Sequence, residues 1–285
     1  MTKLLFGKPA ADRIRTETNA IAERLALRGL PKPRLAVALV EGDKGTDAYA
    51  DSILRGCAGY GVDADVIALP ETVNEAQLLA TLDRLNGDDV IDGVLLMRPL
   101  PHGMDERRIC NAILPEKDVD GVTDASLAGV FTGAGAGYAP CTAEACITLL
   151  DEYGVDVCGK RAVIVGRSLV VGRPLAMLLL ARNATVTLCH TKTEKLAEEA
   201  QRADILIAAA GRPHMVNASF VQAGATVLDV GTNVLPDGTL TGDVDFAPVS
   251  AAVSAITPVP RGVGSVTTAV LMRHTALAAA KRRGL

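Results

Sequence analysis

The hydrophobic positions along the chain change repeatedly between two spacings. Short apolar runs without polar interruption, such as RLAVALV at 34–40, are typical of strands buried on both faces of a sheet. Between these runs, apolar residues recur every three or four positions, which places them on one face of a helix. The alternation predicts an α/β protein in which helices cover both faces of a parallel sheet.

In the first half of the chain, this pattern predicts a leading helix followed by three strand–helix units. The predicted strands are 34–40, 63–69 and 91–97, and the predicted helices are 8–28, 46–60, 74–85 and 104–113. Glycine and alanine then cluster at 127–140, which predicts a loop or linker at a domain boundary.

A second α/β series follows this cluster. Its predicted helices are 142–154, 173–183, 195–203 and 267–283, and its predicted strands are 161–166, 184–189, 204–210, 225–231 and 253–257. We therefore expect a three-layer α/β domain over 1–139 and a Rossmann-like domain over 140–265. The C-terminal helix, within 266–285, is expected to pack back across the body as part of the first domain.

Composition favours a cytoplasmic enzyme that acts on a small molecule. The chain has 285 residues, 49% of them apolar, and a net charge of −4, so we expect no nucleic-acid partner and no membrane partner. No secretory leader and no run of ~20 apolar residues is evident. The six cysteines form no CxxC pair, which is typical of buried thiols in a reducing compartment.

The remaining ionisable candidates are expected to be structural. No spacing of His, Cys and Asp matches a metal site, so no metal is predicted. His102 and His214 fall in predicted loops, and His274 falls in the last helix. Asp229 ends a predicted strand, and we expect its carboxylate to fix a loop.

A glycine turn in AVIVGRSLVVGRP suggests a phosphate site in the second domain. Gly166 falls at the end of a predicted strand, and Gly172 and Pro174 open the next helix. Backbone N–H groups at such a helix start bind phosphate groups. The spacing is not GxGxxG, so this loop alone leaves open whether it binds a nucleotide or is only a turn.

The tip of the next strand favours NADP over NAD. An NAD site usually has an acid there to bind the ribose 2′-hydroxyl, and the segment CHTKT has none. Arg167, Thr191 and Lys192 are instead suited to hold a 2′-phosphate. The alternative is that His190 and Lys192 are ordinary loop residues in solvent.

Six motifs spread along the chain together resemble the tetrahydrofolate dehydrogenase/cyclohydrolase family, of the FolD type. They are PEKDVDG, APCTAEA, VGRSLVVGRP, NATVTLCHTKT, GDVDF and ITPVPRGVGSVTTAVL. The resemblance covers essentially the whole chain. It implies a folate-and-nicotinamide cleft between two α/β domains, and a homodimer formed through the nucleotide domains.

The resemblance also implies the chemistry and its cofactor residues. The family oxidises 5,10-methylenetetrahydrofolate to 5,10-methenyltetrahydrofolate with NADP, and hydrolyses the methenyl compound to 10-formyltetrahydrofolate. The residues that the turn, the strand tip and the motifs assign to NADP are Gly166, Arg167, Ser168, Gly172, Arg173, Pro174, His190, Thr191, Lys192 and Thr232.

The opening region departs from the family at two positions. The family has a Tyr whose ring packs against the pterin, a Lys four residues later that handles protons, and a Gln that supports this Lys. Here the Tyr is Tyr49, but the Lys position is Ile53 and the Gln position is Met97. Asp120, in DVDG, corresponds to the aspartate that binds the pterin amino groups. The apolar pair is consistent with a buried Lys–Gln hydrogen bond that was replaced as a unit.

Two further segments are implied to bind the substrate. They consist of Met97, Arg98, Pro99 and Leu100 after the third strand, and of Pro260, Arg261, Gly262, Val263 and Gly264 before the last helix. Arg98 replaces an apolar family residue; it either contacts the folate or alters its pocket, or it faces solvent, and we favour the solvent-facing arrangement. Arg261 and Ser265 also depart from the family pattern, whereas Gly262 and Gly264 keep the small residues needed for close backbone approach.

We therefore expect a dehydrogenase with weak or absent cyclohydrolase activity. Hydride transfer depends on positioning, whereas hydrolysis needs an activated water and a protonated ring nitrogen. Three alternatives remain open: an ordinary bifunctional enzyme, a dehydrogenase for another pterin carrier, and a silent NADP- or folate-binding protein.

Overall fold

The structure, a computed structural model, describes residues 2–42 and 44–285, without the side chains of residues 44–49. It divides into two compact units. The nucleotide-binding unit is our name for Met1–Asp12 with Thr142–Thr267, and the N-terminal unit is our name for Arg13–Cys141 with Thr268–Leu285.

The predicted alternation of strands and helices is present along the chain. The strands are β1 (Lys3–Leu4), β2 (Arg34–Val40), β3 (Asp63–Leu69), β4 (Gly93–Leu96), β5 (Arg161–Val165), β6 (Thr185–Cys189), β7 (Ile205–Ala208), β8 (Thr226–Asp229), β9 (Asn233–Val234), β10 (Leu240–Thr241) and β11 (Ala255–Ile256). The helices are α1 (Gly7–Leu27), α2 (Lys44–Cys57), α3 (Glu75–Gly87), α4 (Glu106–Cys110), α5 (Asp124–Thr132), α6 (Cys141–Glu152), α7 (Gly172–Leu180), α8 (Leu196–Gln201), α9 (Phe246–Ser250) and α10 (Val263–Arg282).

The N-terminal unit is built on a parallel sheet in the order β3-β2-β4. Its apolar strands pack against α3, which buries Leu78, Leu82 and Leu85 on one face at helical spacing. The C-terminal part of α10 belongs to the same unit, where the Sδ atom of Met272 lies 3.4 Å from the Sγ atom of Cys57. The prediction that the last helix packs back on the body is therefore confirmed.

The nucleotide-binding unit contains a parallel sheet in the order β1-β11-β8-β7-β5-β6. Strand β1 pairs with β11, with Lys3 opposite Ala255. The first residues of the chain thus belong to this unit, whereas the predicted division placed them in the first domain. A two-residue strand with both side chains exposed has no apolar run, so hydrophobic periodicity does not reveal it.

The predicted loop at 127–140 is wrong in its first half. Helix α5 occupies Asp124–Thr132 and begins at Thr123, whose side chain accepts a hydrogen bond from the Ser126 N–H. Within the helix, a Cβ atom at Gly129 would overlap the carbonyl oxygen of Ala136. Glycine is therefore present there for close packing rather than for a turn.

Candidate functional site

The glycine turn that follows β5 is closely packed. Gly166 has a φ of +140°, and a Cβ atom there would overlap the carbonyl oxygen of Ala209. A Cβ atom at Gly172 would in turn overlap the carbonyl oxygen of Gly166. Both positions therefore require glycine. The sequence explained Gly166 only by a tight turn; the close approach to Ala209, which also requires glycine there, is seen only in the folded structure.

The turn presents its polar groups at the carboxyl end of β5. The chain passes from β5 to β6 on one side and then crosses to β7 on the other side, so the strand order reverses at β5, as at the ligand-binding crevice of open α/β sheets. The Ser168 hydroxyl accepts a hydrogen bond from the Val171 N–H, at 3.1 Å. Val171 itself gives α7 no side-chain cap, while Arg167 and Arg173 are exposed beside the turn. The arrangement offers a helix start and two cations to an anionic group.

The tip of β6 is ordered by hydrogen bonds around His190. Its backbone N–H donates to the Thr193 hydroxyl at 2.9 Å, and its Nδ1 atom accepts from the Lys192 N–H at 3.1 Å. Thr191 and Lys192 are exposed, and the tip carries no acid before Glu194. His190 therefore shapes the loop, and Thr191 and Lys192 are the groups available to a ligand.

A cavity of about 380 Å³ lies elsewhere in the same unit. Its walls contain the predicted residues Thr232 and Pro260–Gly264, together with Asp229, Leu240 and Ser265. A Cβ atom at Gly262 would lie 2.5 Å from the carbonyl oxygen of Pro258. At Gly264, apart from its chain neighbours and the backbone of its own helix, no described atom lies within 4 Å of a Cβ position, so packing within the protein does not require glycine there.

Asp229 fixes the loops beside this cavity, as predicted. Its carboxylate accepts hydrogen bonds from the N–H groups of Gly231, Asp243 and Val244, at 2.9 to 3.0 Å. Burial raises the pKa of Asp229 to about 6. Asp243, for which the residue pattern predicts no role, has a carboxylate that accepts hydrogen bonds from the N–H groups of Ala210, Gly211 and Arg212. Its only signal in the sequence is its place in the GDVDF motif.

In the N-terminal unit, the two positions that depart from the family are both buried. Ile53 lies on α2 and is fully buried, and Met97 follows β4 with 5% of its surface exposed. Among the described residues, no buried side-chain nitrogen or oxygen lacks a hydrogen-bond partner. The replacement of both positions by apolar residues therefore leaves none of the described polar side chains buried at this place without a hydrogen-bond partner. Tyr49 lies on α2, but its side chain is outside the described residues, so its predicted role stays a prediction.

Arg98 does not face solvent, so the favoured prediction for it is wrong. Its guanidinium lies 3.7 Å from the Asp120 carboxylate and 3.4 Å from the Glu106 carboxylate. The side chains of Arg98 and Asp120 are only 24% and 20% exposed. Pro99 is exposed, and Leu100 packs partly against the core beneath α3. The attraction of Arg98 to Asp120 depends on folding, because the two residues are far apart along the chain.

The carboxylate of the neighbouring Asp118 is used for hydrogen bonds within the protein. It accepts hydrogen bonds from the N–H groups of Val122 and Thr123 and from the Ser126 hydroxyl, at 2.6 to 3.0 Å. His274 is also structural, as predicted, because it is buried with its Nδ1 atom 2.9 Å from the carbonyl oxygen of Val119. Asp120 is thus the carboxylate of the DVDG turn that is not used by backbone N–H groups of the described residues.

The described residues contain neither a candidate metal site nor a candidate membrane span. Within residues 2–42 and 44–285, no group of His, Cys, Asp and Glu side chains is arranged to hold a metal ion. Over the same residues, no helix combines the length and the apolar character needed to cross a membrane.

Fold and site together define a two-unit α/β protein with a Rossmann-like nucleotide site. Residues 5–120 match the catalytic-domain model of the tetrahydrofolate dehydrogenase/cyclohydrolase family, and residues 140–283 match its NAD(P)-binding-domain model. The chain belongs to the tetrahydrofolate dehydrogenase/cyclohydrolase family.

Curated relatives and solved structures agree with this assignment. The bifunctional protein FolD of Bacillus cereus (strain B4264) is 43% identical over 99% of this chain and 98% of its own length. A crystal structure of the bifunctional FolD enzyme of Campylobacter jejuni is 38% identical, with a TM-score of 0.96, and covers 99% of this chain and 100% of that chain. The Trypanosoma brucei enzyme, solved with NADP cofactor and an inhibitor, is 31% identical, with a TM-score of 0.92 over 99% of this chain and 98% of that chain.

Proposed function

We propose that this protein is an NADP-dependent methylenetetrahydrofolate dehydrogenase whose cyclohydrolase activity is weak or absent. The oxidoreductase half of the proposal rests on membership of the family and on the nucleotide site. The loss of the second activity rests on one observation, the burial of Ile53 and Met97 at positions where the family handles protons.

The nucleotide-binding unit fits NADP. The glycines at Gly166 and Gly172 remove the side chains that would close the turn after β5. Arg167, Thr191 and Lys192 are exposed near strand ends, where no acid competes for the ribose 2′-phosphate. When bound, the cofactor supplies a nicotinamide ring that accepts a hydride.

In the N-terminal unit, the chain's own residues hold the substrate rather than move protons. The Asp120 carboxylate has a hydrogen bond from the Cys141 side chain and is not used by backbone N–H groups of the described residues, so it keeps acceptor positions for the amino groups of a pterin ring. Arg98, which precedes Pro99 and Leu100, contacts the same carboxylate. Oxidation moves a hydride from the methylene carbon to the nicotinamide, and the lone pair of the substrate nitrogen stabilises the resulting cation. None of these steps needs a proton carrier, so an apolar residue at Ile53 is compatible with them.

Hydrolysis of the methenyl cation makes different demands. A water molecule must lose a proton as it attacks, and a ring nitrogen must gain one before the ring opens. Neither the side chain of Ile53 nor that of Met97 has a group that exchanges protons. We therefore expect the methenyl compound to leave the enzyme as the product.

The test is to mix the protein with 5,10-methylenetetrahydrofolate and NADP, and to follow reduced cofactor and methenyl product separately. We expect reduced cofactor and methenyl product to accumulate in equal amounts, with decay of the methenyl compound no faster than in protein-free buffer. A parallel assay with NAD should be slower. Rapid conversion to 10-formyltetrahydrofolate would show an ordinary bifunctional enzyme. If no reduced cofactor forms, the remaining hypotheses are a dehydrogenase for a different pterin carrier and a silent NADP- or folate-binding protein.

We also propose that the protein forms a homodimer through its nucleotide-binding units. Strand β6 is the last strand of its sheet, and Thr185, Thr187 and Leu188 are exposed on it. An exposed edge strand is a surface that a second copy can extend. Light scattering should give twice the mass of one chain, and Thr187→Pro should lower that mass if β6 forms the contact.

A further inference from the structure

Arg98 and Asp120 form an ion pair that the sequence did not predict. The nearest oxygen of Asp120 lies 3.7 Å from the guanidinium, while Glu106 lies 3.4 Å from the same guanidinium. A separation of 3.7 Å is too long for a hydrogen bond. The contact thus supplies positive charge to Asp120 without occupying an acceptor position, whereas the Cys141 side chain does hydrogen-bond to this carboxylate.

The surroundings of Asp120 otherwise disfavour a negative charge. Burial is the largest effect, and together with the nearby carboxylate of Asp118 it raises the pKa of Asp120 to about 6. Arg98 is the strongest of the groups that lower this pKa. The remaining ionisable groups that act on Asp120, directly or through Arg98, are Glu106, Cys110, Cys141 and His274.

Arg98 is suited to this role because its guanidinium stays protonated at every pH of interest and has five N–H donors. It can pair with Glu106 and still attract Asp120. The residue before it, Met97, carries no charge, so the positive charge in this segment comes from Arg98 alone among residues 97–100.

We propose that Arg98 is a positioning residue, whose guanidinium keeps the Asp120 carboxylate charged and open to the amino groups of a pterin ring. This inference rests on the proposed function, because Asp120 is the group that would bind the pterin. It adds that the affinity for folate substrates depends on an arginine that the family pattern does not contain.

The test compares Arg98→Leu and Arg98→Lys with the unmodified protein. The matched control is Arg107→Leu, since Arg107 is an exposed arginine of the same unit that pairs with Asp124 instead. Loss of a neighbouring opposite charge raises a carboxyl pKa by about one unit or more. We therefore expect the KM for 5,10-methylenetetrahydrofolate in Arg98→Leu to rise about fivefold at pH 6 and to change little at pH 8. Arg98→Lys should restore most of the affinity at pH 6.

A second measurement does not depend on turnover. Carbon-13 NMR of the free protein, with the Asp120 signal assigned from Asp120→Asn, should give a titration midpoint about one pH unit higher in Arg98→Leu than in the unmodified protein. An unchanged midpoint, or a KM that rises by the same factor at pH 6 and pH 8, would overturn the role of Arg98. A shifted midpoint in a protein that oxidises no folate would instead support the role of Arg98 and contradict the proposed function.

Discussion

The backbone N–H of Asp243 donates a 2.9 Å hydrogen bond to the Oδ1 atom of Asp229. This bond joins two aspartates whose carboxylates each collect several backbone N–H groups. Together they tie the segment after β7 to the segment between β10 and α9. The walls beside Thr232 therefore depend on buried carboxylates rather than on regular secondary structure.

Replacing Asp229 by Asn should destabilise the nucleotide-binding unit. An amide has one oxygen, so its NH₂ group would face one of the N–H donors that the carboxylate now accepts. A buried donor left unsatisfied costs about 1–3 kcal/mol. Urea denaturation should show a loss of this size for Asp229→Asn. Asp237→Asn, at an exposed loop carboxylate, is the control and should change little; equal losses in both variants would contradict the argument.

Arg261 has a φ of +83°, a left-handed backbone conformation that disfavours residues with a side chain. Such a conformation costs a residue with a side chain about 1–2 kcal/mol, and glycine would remove this cost. Glycine also has more conformational freedom in the unfolded chain, which lowers the stability of the folded state by about 0.5–1 kcal/mol. We therefore expect Arg261→Gly to raise the free energy of unfolding by about 0.5 kcal/mol. Arg261→Ala removes the same charge but keeps the strain, and a gain in that variant as large as in Arg261→Gly would rule out backbone strain as the cause.

Lys117 is buried, and its Nζ atom donates to the carbonyl oxygens of Leu85, Asn86 and Asp88 at 2.7 to 2.9 Å. These carbonyls lie at the C-terminal end of α3, where a cation is favoured by the helix dipole. Lys117→Met keeps the length of the side chain and removes the donors. We expect it to cost about 2–4 kcal/mol in chemical denaturation. Lys32→Met, at an exposed lysine of the same unit, should leave the midpoint unchanged.

Replacing Ile53 and Met97 by the Lys and Gln of the family pattern should lower stability and restore hydrolysis of the methenyl compound. Ile53→Lys places an ammonium group at a fully buried position, so we expect a loss of about 3 kcal/mol or more. Adding Met97→Gln should recover part of this loss and accelerate decay of the methenyl compound. The measurements are the unfolding free energy and the decay rate for each single variant, for the double variant and for Ile53→Leu as the volume-matched control. Additive losses without any gain in hydrolysis would show that these two positions do not limit the second activity.

Local chemistry was predictable where it depends on which residue stands at a position. The apolar run at 34–40 forms β2 with the predicted ends, because a short, nearly continuous apolar segment is typical of a strand buried on both faces of a parallel sheet. The absence of an acid at the tip of β6 and the apolar residues at Ile53 and Met97 are also properties of the sequence itself.

Other features depended on contacts between distant residues. The pairing of β1 with β11 joins segments about 250 residues apart, and a two-residue strand has no periodicity of its own. The glycines near 127–140 suggested a loop, but Gly129 is small because Ala136 packs against α5. In both cases a tertiary contact outweighed the local preference.

The sequence by itself determined the family, the α/β class and the residue types available at each candidate position. These follow from side-chain chemistry and hydrophobic spacing, which the chain carries whether or not it is folded. Only the tertiary structure decided that Arg98 turns toward Asp120, that Asp229 and Asp243 share one network, and that Lys117 caps α3. The physical reason is that electrostatic attraction and hydrogen bonding act over a few ångströms, so the path of the backbone decides which charges and donors meet.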